Sequence, residues 1–99
     1  MRIIARKTLR DFWEKPAYAD AEQPLKAWFK LAEEADWAKP SEVKKALGSA
    51  SIVGDNRVVF NIAGNKYRLV AKINYPYGVL YIRFIGTHRH YDAIEVTEI

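Results

Sequence analysis

Cysteine is absent, so neither a disulfide framework nor a thiolate metal site can hold this chain together, and a reducing compartment suits it. Long apolar runs are absent too. The N-terminal stretch Met1-Arg2-Ile3-Ile4-Ala5-Arg6-Lys7 carries three consecutive apolar residues before charge returns. That is far short of a signal-peptide core or a membrane span, so no targeting segment is expected and the cytoplasm is the expected location. Proline and glycine are sparse, and no Pro-, Gly- or Ser-rich tract interrupts the sequence, which excludes a low-complexity chain. An apolar fraction of 49% beside 28% charged residues is instead the balance of one packed domain, expected over residues 1–99.

The most informative shortage is of acids, and it is local. From Arg57 to Tyr91 there is no Asp or Glu, while Arg57, Lys66, Arg68, Lys72, Arg83 and Arg89 all fall there with His88 and His90. Residues 1–50 differ: ten basic residues are interleaved with eight acidic ones, the mixture of solvated helix faces. A formal net charge of +4 says little alone, but its concentration in one stretch says more.

What is present divides the chain in two. Residues 2–6 form a short strand in this reading, and Thr8 with Asp11 marks a helix start ahead of Leu9, Phe12 and Trp13, broken near Pro16. Asp20 with Gln23 has the pattern of a cap for a second helix, whose Leu25, Trp28, Phe29, Ala32 and Ala35 repeat at helical spacing. Ser41–Leu47 adds a turn or two before Gly48, and Gly48–Asn56 reads as a loop. Trp13 and Trp28 belong to the core; for Trp37 a partner interface stands as the alternative.

After Asn56 the period becomes that of strands: 57–63, 66–75 and 79–86, separated by Gly64-Asn65 and Pro76-Tyr77-Gly78, an antiparallel meander. A two-residue turn at Gly64-Asn65 sets Asn61 opposite Arg68, Phe60 opposite Leu69, Val59 opposite Val70 and Arg57 opposite Lys72. One face then carries Val58, Phe60, Ile62, Tyr67, Leu69, Ala71 and Ile73 and must meet the helices. The other carries Arg57, Asn61, Lys66, Arg68 and Lys72 around Val59 and Val70. In the third strand composition assigns Leu80, Ile82 and Phe84 to the core and Tyr81, Arg83 and Ile85 to the basic face. The exit Gly86-Thr87-His88-Arg89-His90-Tyr91-Asp92 delivers its side chains near that face.

A sheet face lined with Arg, Lys, Asn and Tyr can bind RNA through phosphate contacts and stacking. The plain alternative is a solvated polar face; a field of one sign favours an anionic partner. Metal-independent RNA cleavage needs a group that takes a proton from the 2′-hydroxyl, a group that protonates the leaving 5′-oxygen, and cations around the phosphorane. His88, Tyr91, Arg68, Lys66 and Arg83 have the required chemistry, whereas His90 reads as structural or merely exposed. No metal site or phosphate loop is visible, and no cofactor is expected.

Three motifs, Val58-Val59-Phe60-Asn61-Ile62-Ala63-Gly64-Asn65-Lys66-Tyr67-Arg68-Leu69-Val70, Tyr81-Ile82-Arg83 and Thr87-His88-Arg89-His90-Tyr91-Asp92, together resemble the HigB-type toxins of the RelE/ParE superfold. The resemblance implies an α+β domain, with an N-terminal strand and two to three helices packed on one face of the meander. It also implies the toxin of a type II toxin-antitoxin system: an mRNA endoribonuclease acting on translated mRNA at the ribosome and held off by a cognate helix-turn-helix antitoxin. Arg68 corresponds to the superfold's phosphate-contacting arginine, Arg83 holds a similar late-strand place, and His88 and Tyr91 match the C-terminal Thr-His-x-x-Tyr-Asp element that moves protons. Which of the two is base and which acid stays open. Lys66, Lys72, Asn61, Arg57 and Arg89 are the expected RNA contacts, with no membrane partner. The segment after Asp92 lacks the basic extension of some relatives. Two other readings remain: a non-catalytic toxin of the same fold, of the gyrase-inhibitor type, and a plain RNA-binding module.

Overall fold

The computed structural model describes residues 1–99. β1 (Arg2–Ile4) leads into α1 (Arg6–Trp13), a 3₁₀ turn (Pro16–Ala21), α2 (Glu22–Glu34) and α3 (Pro40–Ala46). Then come β2 (Ser51–Val53), β3 (Arg57–Ile62), β4 (Tyr67–Asn74), β5 (Val79–Thr87), α4 (His88–Asp92) and a last 3₁₀ turn at Val96–Glu98. One sheet runs β1-β5-β4-β3-β2. β1 lies parallel to β5 and every other pair is antiparallel, so the α+β class and the meander are as expected, with one strand added at each edge. β2 was not foreseen in the 48–56 stretch. A three-residue run shows no measurable alternation, and its strand character comes from the free edge of β3.

The register of the first hairpin agrees with the turn-based expectation, with Asn61 opposite Arg68, Val59 opposite Val70 and Arg57 opposite Lys72. The helix starts differ. α1 begins at Arg6, two residues before the expected Thr8 cap, and Asp11 instead reaches back one turn to Lys7 at 2.6 Å. Asp20 does not cap α2. The 3₁₀ turn leads directly into that helix, and the Asp20 carboxylate accepts from the Tyr67 hydroxyl and the Lys66 ammonium, tying the turn to the start of β4.

The core lies between the helices and one sheet face. Leu9, Phe12, Trp13, Leu25, Trp28 and Ala32 meet Val58, Phe60, Ile62, Tyr67, Leu69, Ala71, Ile73, Leu80 and Ile82. Trp37 belongs here, stacked 6.3 Å from Phe60 while Trp28 meets the same ring edge-on at 5.3 Å. Each large aromatic removes on the order of 150–250 Å² from water, so this trio alone is a large share of the driving force.

The third strand departs from the expected alternation. Ala71 pairs with Ile82 and Val70 with Phe84, leaving Arg83 as an extra, bulged residue. An extra residue shifts parity by one. Phe84 therefore crosses to the second face beside Val70, and Ile85 packs on the core, the reverse of what composition suggested. The second face is not bare either. Val59 and Val70 are buried yet lie outside the main core. α4 sits over one end of this face, where Tyr91 meets Phe84, and the Ile99 carbonyl oxygen reaches Arg57 at the other. Residues 88–99 thus run across it, adding a fourth helix on the side away from α1 and α2.

Candidate active site

Arg68 projects from β4 onto the second face, opposite Asn61 and Gly86. Its Nη1 donates to the Oδ1 atoms of Asn61, on the neighbouring strand, and Asn65, in the hairpin turn. Ala63 and Gly64 there adopt positive φ values of 55° and 70°, a tight reversal that brings the Asn65 amide back over β4. The two amides occupy a single guanidinium nitrogen. Nε and Nη2, which form the flat edge that fits a phosphate or carboxylate in a two-point grip, have no acceptor in the protein.

α4 supplies the second side of the site. The Thr87 hydroxyl caps it by accepting from the His90 amide at 3.2 Å. Tyr91, on this short helix, lies with its ring 5.8 Å from the Arg68 guanidinium carbon and 6.4 Å from the Phe84 ring. The helix can approach this closely because residue 86 is glycine: a Cβ there would stand 2.6 Å from Phe84 Cζ and 3.1 Å from His90 Cβ. His88 Nε2 is buried without a hydrogen-bond partner. His90 is exposed, its ring edge-on to Tyr18 at 6.4 Å. No three of His, Cys, Asp and Glu converge in metal-binding geometry.

The remaining expected contacts are scattered. Lys66 turns to Asp20, on the helix side. That pair has mutual consequences: the Lys66 ammonium and Tyr67 hydroxyl hold the Asp20 carboxyl below the usual carboxylate range, and Asp20 holds Lys66 above the usual ammonium value. Burial, and then the Asp20 carboxylate, push the Tyr67 phenol up. Arg57 is 6% exposed and spends its donors on the Asp55 carboxylate at 2.7 Å and the Ile99 carbonyl oxygen, so its charge does not face solvent. Arg83 leans over the Tyr81 ring at 5.5 Å and, with Lys72, lines a pocket beyond Phe84. Arg89 is exposed on α4. The structure thus brings together Asn61, Arg68 and Tyr91, with His88 on the same helix, and sets Lys72 and Arg83 apart. Sequence reasoning missed three participants. Asn65 read as a turn residue and nothing more, Gly86 matters through space it leaves open, and Phe84 depends on the bulge.

A family model described as HigB_toxin, RelE-like toxic component of a toxin-antitoxin system, matches residues 21–94. The chain is 32% identical over 94 residues to the mRNA interferase toxin HigB of Escherichia coli (strain K12), an alignment covering 93% of this chain and 88% of that relative. It is similar to the same extent to the mRNA interferases HigB of Escherichia coli O157:H7 and Shigella flexneri.

Proposed function

The chain belongs to the HigB family of RelE-like toxins, the toxic components of toxin-antitoxin systems, and from that premise we propose that it is an mRNA endoribonuclease centred on Arg68. The observation that carries this reading is the Arg68 guanidinium, fixed through Nη1 by two amides and presenting Nε and Nη2 as a free edge beside Tyr91. Oriented donors that need no rearrangement are what stabilises charge building on a phosphorane. In the reaction the 2′-oxygen bonds to phosphorus as the P–O5′ bond breaks, leaving a 2′,3′-cyclic phosphate and a 5′-hydroxyl. One of His88 and Tyr91 accepts the 2′ proton and the other protonates the departing oxygen. Tyr91 already stands beside Arg68. His88 lies on the same short helix, half-buried, with its Nε2 turned into the protein and unpartnered.

The chemistry needs no metal in this scheme, because Arg68 supplies the charge and the two side chains move the protons. The chain acts as one domain over residues 1–99, on message engaged with the ribosome, and its antitoxin is a helix-turn-helix protein; the family resemblance of the motifs supports these points. Expression in cells with mapping of mRNA ends tests the reading. Wild type should arrest growth and create new 5′ ends within translated messages, and Arg68→Ala should do neither. Growth arrest without new ends, or unchanged cleavage by Arg68→Ala, defeats it. Mapping in a purified reaction with and without ribosomes decides the ribosome requirement.

A further inference from the structure

The second face carries another built feature, outside the Arg68 centre. Beyond Val70 and Phe84, where β4 and β5 run toward their connecting turn, a concave pocket of ≈ 590 Å³ opens between Lys72, Asn74, Tyr75, Tyr81, Arg83 and Asn56. Three observations bear on its use. Its cations are uncommitted: Lys72 and Arg83 take part in none of the four ion pairs, whereas Arg57 and Lys66 are both neutralised. No acid lines it. It also offers a flat platform, since the Arg83 guanidinium carbon lies 5.5 Å from the Tyr81 ring centre and both are planar groups on which bases stack. Tyr81 and Arg83, two residues apart, share this side by the strand's ordinary alternation, and the bulge adds Phe84 next to them.

We propose that this pocket is a subsite for a flanking nucleotide of the single-stranded RNA, its base stacked on Tyr81 and Arg83 and its phosphate held by Lys72. The inference rests on the ribonuclease reading and names where the substrate continues. Lys72 stands four residues along β4 from Arg68, roughly 13 Å at the rise of a strand, so a nucleotide here lies beside the scissile one rather than at it. Val70, buried, and its partner Phe84, half-buried, lie between the two places.

The test uses a probe that cannot be cleaved, so it stands whether or not the enzyme turns over: a fluorescent 2′-O-methyl oligoribonucleotide of about six residues, within the usual footprint of single-strand binders. Equilibrium binding is measured across salt concentrations for wild type, Lys72→Ala with Arg83→Ala, Tyr81→Leu, Tyr81→Phe, and Lys30→Ala as an α2 surface control. Tyr81→Leu should raise Kd about tenfold, the scale of one lost stacking partner, while Tyr81→Phe and Lys30→Ala bind like wild type. The double variant should lower the salt slope by about 0.7, one single-strand phosphate contact's worth, and also lose the stacking contribution of Arg83. Substituting abasic residues one at a time should find one position, off the scissile link, where wild type loses about tenfold and Tyr81→Leu loses nothing further. Should Tyr81→Leu fail to fold, the abasic series on wild type and the double variant carries the test. Unchanged salt slope in the double variant, or equal binding of every abasic probe, overturns the subsite, and loss of cleavage in Arg68→Ala would still leave the ribonuclease reading intact.

Discussion

Arg57 and Lys66 differ from Lys72 and Arg83 in what the fold gives them, although all four lie in one stretch without an acid. The first two sit near opposite ends of the β3–β4 hairpin, and distant segments bring acceptors to them: the Ile99 carbonyl oxygen and Asp55 to Arg57, Asp20 to Lys66. The second two lie along the hairpin's outer face with β5, and nothing answers their charge. A segment free of acids in sequence is therefore not free of them in space. Charge left over after folding, rather than charge counted along the chain, marks where an anionic partner binds.

The contrast can be broken by substitution, and Arg68 is the sharpest probe. Arg68→Ala should cut the cleavage rate by about 10²–10³, the usual cost of one oriented transition-state donor, with a small change in melting temperature. Arg57→Ala should behave in the opposite way: a loss of about 1–3 kcal/mol in urea unfolding, since buried donors and acceptors lose their partners, with RNA affinity close to wild type. If Arg57→Ala instead weakens RNA binding as strongly as Lys72→Ala, the division between paired and free cations fails.

A smaller effect is expected at Asp20, and it depends on pH. Its folded carboxyl titrates below the usual range, so its contribution is complete above the unfolded value of about 3.9 and is lost as pH falls through the lower folded value. Lys66 and Tyr67 titrate above their usual values, so theirs is complete below about 10 and is lost as pH rises through the folded values. Melting curves should place wild type a few degrees above Asp20→Asn between those limits and bring the two together in acid and in strong base. Smallest of all, Lys7→Ala removes an exposed helical pair on α1 and should change stability by no more than about 0.5 kcal/mol in the same unfolding assay.

Much of this was legible beforehand, for identifiable reasons. Alternation plus one turn determines the pairing of Asn61 with Arg68 and the division of β3 and β4 into an apolar and a basic face, because the strand period is two and the turn is short. Helical spacing places Leu25, Trp28 and Ala32 in the core. What escaped involves long-range competition. Asp20 has the pattern of a cap, but Tyr67 and Lys66, 47 and 46 residues later, take its oxygens. The five residues of α4 are too few for any periodic signal, yet they place Tyr91 beside Arg68. No element is expected over residues 93–99, yet they continue across the sheet to Arg57.

The bulge at Arg83 acts on the strand as an inserted letter acts on a reading frame. Were β5 to pair with β4 residue for residue, with Arg83 opposite Val70 and no bulge, strict alternation would send Phe84 inward and Ile85 outward. Everything read after it would be transposed as well: Thr87 would open α4 from the opposite side of the sheet, and His88 and Tyr91 would be delivered to the helices instead of to Arg68. Composition, charge and nearly every core residue would survive such a slip of register, while the site itself would be written out of phase.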